Sequence, residues 1–121
     1  MIYFTSDLHL FHANIIKYCN RPFDNVTEMN EKIIDNWNSV VKKKSDIVYI
    51  LGDVSFAHYQ FTLEALNRLK GAKILIKGNH DRNCNSIAHA FLVIRDYYEI
   101  HCNQIPIIMF HYPLETWNKS H

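Results

Sequence analysis

Glycine, proline and cysteine occur only three times each in these 121 residues, and each scarcity removes a class of protein. So little glycine and proline excludes collagen-like, low-complexity and linker-rich chains. The cysteines, Cys19, Cys84 and Cys102, are odd in number, widely spaced and form no CxxC. That disfavours a disulfide framework or a thiolate zinc site and fits reduced thiols in a cytoplasmic compartment. Charge of one sign is also missing. The net charge is +1, and the one basic cluster, Lys42-Lys43-Lys44, falls at a predicted helix C-terminus where cations suit the dipole. This balance carries no footprint for nucleic acid or a membrane surface. No apolar run approaches the ~20 residues needed to span a bilayer. The opening MIYFTSDLHL lacks the basic and apolar regions of a signal peptide. A single soluble, cytoplasmic domain over residues 1–121 is the expectation.

Histidine is plentiful, with eight residues, and position must decide which of them carry chemistry. Ile2–Thr5 reads as a buried strand that runs into Ser6-Asp7. A short helix is expected over 14–19, closed by Asn20-Arg21-Pro22. Asn25 and Glu28 form a capping box for a longer helix, with Met29, Ile33, Trp37, Val40 and Val41 on its apolar face. Asp46–Leu51 is a second strand ending at Gly52-Asp53, and Phe61–Leu69 a second amphipathic helix stopped by Gly71. Lys73–Lys77 is a third strand ending at Gly78-Asn79-His80-Asp81, followed by a short helix near Ser86–Ala90. Tyr97–Cys102 and Ile105–Phe110 flank Asn103-Gln104 as a hairpin. Strand–helix alternation with short connections implies an α/β fold: parallel βαβ units with helices on both faces of the sheet.

In such sheets ligand sites assemble at the C-terminal ends of the strands. Here those ends bear Asp7-Leu8-His9, Gly52-Asp53-Val54 and Gly78-Asn79-His80-Asp81, with Phe110-His111-Tyr112-Pro113 closing the hairpin. Side by side, these loops would bring carboxylates, an amide oxygen and imidazoles to one point. Mixed O and N donors without thiolate suit Mn²⁺, Fe or Zn²⁺. A carboxylate can also bridge a metal pair of the kind that hydrolyses phosphate esters. Any one of these residues alone has an ordinary reading as a cap, an Asx turn or a satisfied loop histidine. The ordered ensemble does not.

The set DxH, GDV, GNHD and a strand-terminal histidine resembles the calcineurin-like metallophosphoesterases. The stretches SDLHLFHANIIKYCNRPF, MNEKIIDNWNSVV and HYPLETW resemble a small bacterial or phage branch of that superfamily. The resemblance implies a sandwich of mixed β-sheets flanked by helices and two divalent metal ions (Mn, Fe, Zn or Ni). It implies that Asp7 and His9 bind the first metal, Asp53 bridges, and Asn79 and His111 bind the second. His80 would protonate the leaving oxygen, oriented by Asp81, while a hydroxide bridging the metals attacks a phosphomonoester or phosphodiester. His12 lies close enough in sequence to back a metal ligand or contact the substrate, and Arg21 could equally meet a phosphate or carboxylate or form a surface ion pair. His58, His89 and His101 are read as surface or partly buried residues. Phe4, Trp37 and Tyr49 are read as core.

The family closes its metal set with GHxH, and no glycine follows Gly78 here. The chain is therefore read as C-terminally truncated, with each metal short of one imidazole and a sheet edge open to pairing with another chain. Two rival functions follow. One is a truncated or degenerate module that binds a metal or nucleotide without turnover. The other is a nuclease using the same site, which the near-zero net charge disfavours. A phosphate ester is the partner class, a nucleotide-derived one among the candidates, with no membrane role and with nucleic acid disfavoured.

Overall fold

The computed structural model describes residues 1–12, 16, 21–55, 59–78, 81 and 84–111. Four short strands, β1 (Ile2–Ser6), β2 (Ile47–Leu51), β3 (Ala72–Ile76) and β4 (Val93–Arg95), form one parallel sheet in the order β1-β2-β3-β4. β5 (Tyr97–Cys102) and β6 (Ile105–Phe110) form a separate antiparallel pair. Two helices, α1 (Val26–Val40) and α2 (Tyr59–Arg68), fill the first crossovers, and a 3₁₀ helix spans Cys84–Ala90 before β4. β4 went unrecognised in the sequence because three residues between two turns carry almost no periodicity.

Alternation along the strands decides what each face buries. Val48, Ile50 and Leu75 point to one face and pack with Ile34, Trp37 and Val41 of the α1 region and with Leu66 and Leu69 of the α2 region. Tyr49, Ile74 and Ile76 point to the other and pack with Met109, Tyr98, Ile100 and Ile107 of the hairpin. Ile50, Leu66 and Leu75 are fully shielded; each such side chain contributes about 1.5–3 kcal/mol relative to exposure. The expected cover of helices on both faces is therefore corrected. Among the described residues, helices take one face of the parallel sheet and a β-hairpin takes the other, giving a sandwich.

α1 begins where the sequence places it. The Asn25 side chain accepts from Glu28 N at 2.8 Å, and Glu28 Oε2 reaches back to Asp24 N at 3.3 Å, one residue earlier than a standard capping box. Its inner face runs through Met29, Asn30, Ile34 and Trp37, so Val40, expected inside, is exposed. Phe61 and Phe4, also expected to be buried, are exposed as well. Phe4 stands on edge strand β1, with Tyr49 stacked on it at 5.5 Å between ring centroids. α1 also terminates α2: Trp37 Nε1 donates to Lys70 O (2.8 Å) and Asn38 Nδ2 to Arg68 O (2.9 Å), and Asn38 Oδ1 accepts from Lys70 N. The chain then turns at Gly71, whose φ of +88° is open to glycine at little cost. Of the helix expected over 14–19, only Ile16 is among the described residues.

Register is the feature that builds the site. Ser6, Leu51 and Ile76 sit abreast as the last residues of β1, β2 and β3. The three following loops must therefore start side by side.

Candidate metal centre

The first two loops continue to pair after their strands end. Asp7 N donates to Gly52 O, His9 N to Asp53 O and Leu10 N to Val54 O, all at 2.9–3.0 Å, and Leu10 bridges Ser55. Between these bonds Asp7, His9 and Asp53 take φ of 51°, 51° and 53°, a left-handed conformation that non-glycine residues avoid. Such backbone persists only where the surroundings determine it, and it clusters at functional sites.

The donor atoms converge. Those of Asp7, Asp53 and His111 lie within 4.8 Å of one another. His9 Nε2 is 3.6 Å and His111 Nε2 3.5 Å from the same oxygen, Asp53 Oδ2, and each histidine also lies 4.0 Å from Asp7 Oδ1. Asp53 is buried, and its Oδ2 lies within 3.6 Å of both imidazoles. His111 is oriented through its other nitrogen: Nδ1 lies 3.0 Å from Leu51 O, a group that only accepts, so Nδ1 donates there and Nε2 faces Asp53 Oδ2. His9 is held below its ordinary pKa, first by burial and then by the nearby Arg21 and His12, against the pull of Asp53 and Asp7. A neutral imidazole is the form that ligates. Two imidazoles and two carboxylates, nitrogen and oxygen donors without thiolate, fit a divalent cation.

Two glycines make room for this. A Cβ at Gly52, where φ is +84°, would strike the His111 ring, and one at Gly78 would sit 2.6 Å from Asp53 Oδ1 and 2.9 Å from Asp53 N. Asp81 ties the loops together. Its Oδ2 accepts from Asp53 N (2.7 Å) and Gly78 N (2.8 Å), and its Oδ1 from Val54 N (3.0 Å). Asn79 and His80 lie outside the described residues, and with them the expected amide ligand and the expected Asp81–His80 pairing.

The two residues read as substrate contacts sit elsewhere in the design. His12 Nδ1 is 3.0 Å from His9 Nδ1, with the rings stacked at 5.2 Å, so His12 meets a ligand candidate from behind. Arg21 donates to Asp7 O (2.8 Å) and Leu8 O (2.9 Å), that is, to main chain. Asn30, a buried polar residue on the inner face of α1, accepts from Phe11 N at 2.9 Å. Sequence reading passed over Asn30, although a polar residue next to Met29 on an apolar stripe was the available signal. His89 and His101 are exposed, as read; His58 lies outside the described residues.

A parallel sheet with an oxygen- and nitrogen-rich cluster at its C-terminal edge and a hairpin sandwiched on one face defines a class of metal-binding α/β proteins. The chain belongs to the calcineurin-like phosphoesterase family, whose model matches residues 1–120. It is similar to the uncharacterized protein MJ1445 of Methanocaldococcus jannaschii, 54% identical over 83 residues, covering 67% of this chain and 47% of that protein. It is also similar to the Gene 66 protein of Mycobacterium phage L5, 40% identical over 82 residues, covering 65% of this chain and 39% of the phage protein. These phage relatives accord with the small bacterial or phage branch. Among solved structures, the protein of unknown function AQ665 from Aquifex aeolicus superposes with a TM-score of 0.81 at 34% identity, covering 93% of this chain and 61% of that one. The chain thus spans about half the length, or less, of the curated relatives it matches.

Proposed function

We propose that this chain carries the catalytic centre of a metal-dependent phosphoesterase acting on phosphomonoesters or phosphodiesters, with a nucleotide-derived ester as the favoured substrate. The observation that carries this reading is the approach of both His9 Nε2 (3.6 Å) and His111 Nε2 (3.5 Å) to the same oxygen, Asp53 Oδ2. In this reading Asp7, His9, Asp53 and His111 hold two divalent ions, Asp53 shared between them, and Asn79 completes the second. Ions so held would neutralise the phosphoryl oxygens and acidify a water near neutral pH. The protein's own residues do the rest. His111 is held at Nδ1 by Leu51 O with Nε2 toward Asp53, and burial holds the His9 pKa below its ordinary value. Asp81 fixes the main chain that carries Asp53. His80, next in sequence to Asn79, would protonate the departing alkoxide.

A second reading is a module that binds metal or nucleotide without turnover. The test is hydrolysis of a chromogenic phosphodiester and phosphomonoester with and without Mn²⁺, for the wild type and Asp53→Asn. Mn²⁺-dependent turnover that falls at least a hundredfold in the variant supports the enzyme. Metal binding without turnover selects the binding module, and turnover unchanged in Asp53→Asn overturns the site. No helix among the described residues is long and apolar enough to cross a membrane. We place the protein in the cytoplasm, where Mn²⁺ and nucleotides are both at hand.

A further inference from the structure

We propose that Arg21 is a positioning residue for the metal centre: its guanidinium clamps the main chain of the Asp7-Leu8-His9 loop and so fixes both donors of the first ion. The proposal rests on the metal reading of the site, and it moves Arg21 from substrate contact to loop clamp. Within five residues the loop takes left-handed φ at Asp7 (51°), His9 (51°) and Phe11 (63°) with no glycine among them. Residue type does not favour that zigzag, so neighbours must impose it. The loop donates to Gly52 O, Asp53 O and Val54 O. Arg21 takes two consecutive carbonyls of the same loop: Nη2 donates to Asp7 O at 2.8 Å and Nη1 to Leu8 O at 2.9 Å. Nη1 also rests 3.5 Å from Met29 Sδ on the inner face of α1, which sets the height of the fork. Two carbonyls held by one planar group fix the peptide between them, and the Asp7 carboxylate and the His9 imidazole leave the chain on either side of that peptide. Only a guanidinium has this geometry; an ammonium is a point donor.

Charge alone predicts the opposite effect. A fixed cation beside a site for divalent ions opposes their binding, so removing it would tighten them if electrostatics were its whole contribution. The clamp predicts weakening whether or not the charge remains.

The experiment is Mn²⁺ binding without substrate, followed by the EPR signal of free ion, for the full chain as wild type, Arg21→Lys and Arg21→Met, well below each melting temperature. Loss of a partner that orients metal ligands typically costs 10–100-fold in affinity. We expect Arg21→Lys and Arg21→Met both to lose about tenfold or more, and methylguanidinium added to Arg21→Met to restore part of the loss. Arg21→Lys keeps the charge and the packing on Met29, so it decides the matter if Arg21→Met fails to fold. Affinities within threefold of wild type, or tighter in Arg21→Met, overturn the clamp. So does a rise in KM for a phosphodiester with unchanged Mn²⁺ affinity, which would make Arg21 a substrate contact. Wild-type Mn²⁺ binding that depends on Arg21 in a chain without turnover leaves the clamp standing and removes only the enzyme reading; a wild-type chain that binds no Mn²⁺ overturns both.

Discussion

Asp81→Asn separates the residue that holds this site together from the residues that hold metal. The Asp81 carboxylate is buried and takes three main-chain N–H groups from two ligand loops: Asp53 and Gly78 on Oδ2, Val54 on Oδ1. An asparagine keeps one acceptor oxygen. It would turn that oxygen to the Asp53 and Gly78 donors and set its NH₂ against Val54 N–H. Each of the two retained bonds falls from the charge-assisted range to the neutral one, a loss of about 1 kcal/mol each, and one buried donor is orphaned at about 1–3 kcal/mol. The sum is roughly 3–5 kcal/mol, a large part of the ~5–15 kcal/mol that holds a domain of this size. Urea unfolding followed by circular dichroism in EDTA reads it without metal linkage. At a slope of about 1.5–2 kcal/mol per M, the midpoint should fall by roughly 1.5–3 M. Asp7→Asn is the control. Asp7 sits near Asp53 with its side chain half exposed, so removing its charge relieves like-charge repulsion and should leave the metal-free protein equally or slightly more stable. An Asp81→Asn loss below about 1 kcal/mol, or equal losses in the two variants, would refute the assignment.

Further predictions follow from other contacts. Gly78→Ala pushes a methyl group against the Asp53 carboxylate, and should weaken Mn²⁺ binding at least tenfold while costing about 1–3 kcal/mol of stability; calorimetric titration and urea unfolding check both. Gln104→Gly relieves a left-handed φ of 69° at the hairpin turn beside Asn103 at 51°; a gain of roughly 0.5–1 kcal/mol is expected, and a loss would mean the turn is not as described. Asp46 is held below the ordinary carboxylate range. Burial pushes it up, but the Lys43 amide at 3.2 Å and the amino-terminal ammonium at 3.3 Å outweigh that push. Its folded pKa lies below its unfolded one, so its contribution is complete above about pH 4 and fades as pH falls through the folded value. Asp46→Asn should therefore flatten the stability profile below about pH 4, as read from urea midpoints between pH 3 and 7; a profile of unchanged slope would contradict this.

The meeting of Asp7, His9 and Asp53 was legible because each follows a β-rich run and parallel register converts equal strand ends into adjacent loops, whereas His111 ends the antiparallel hairpin and reaches them by the packing of that second layer. The hairpin around Asn103-Gln104 was legible from its length and turn position alone. What stayed hidden depends on tertiary contact. Nothing in a helical pattern says that Phe61 and Val40 face outward while Asn30 faces in, because the stripe's exact azimuth is set by the neighbour it packs on. β4 was too short to show a period, and the hairpin's role as a second layer required knowing that Tyr49 and Ile74 needed cover. The partners of Arg21 and Asp81 are main-chain groups, and a side chain's preference for carbonyls or amides leaves no trace in sequence spacing.

The central claim, that these strand-end loops form a centre for divalent metal with Asp53 at its middle, is tested most directly by titrating the metal-free chain with Mn²⁺ beside Asp53→Asn. The account predicts saturable binding in the wild type, up to two ions per chain, and at least a tenfold weakening with loss of one equivalent in the variant. Identical isotherms for the two proteins would contradict it.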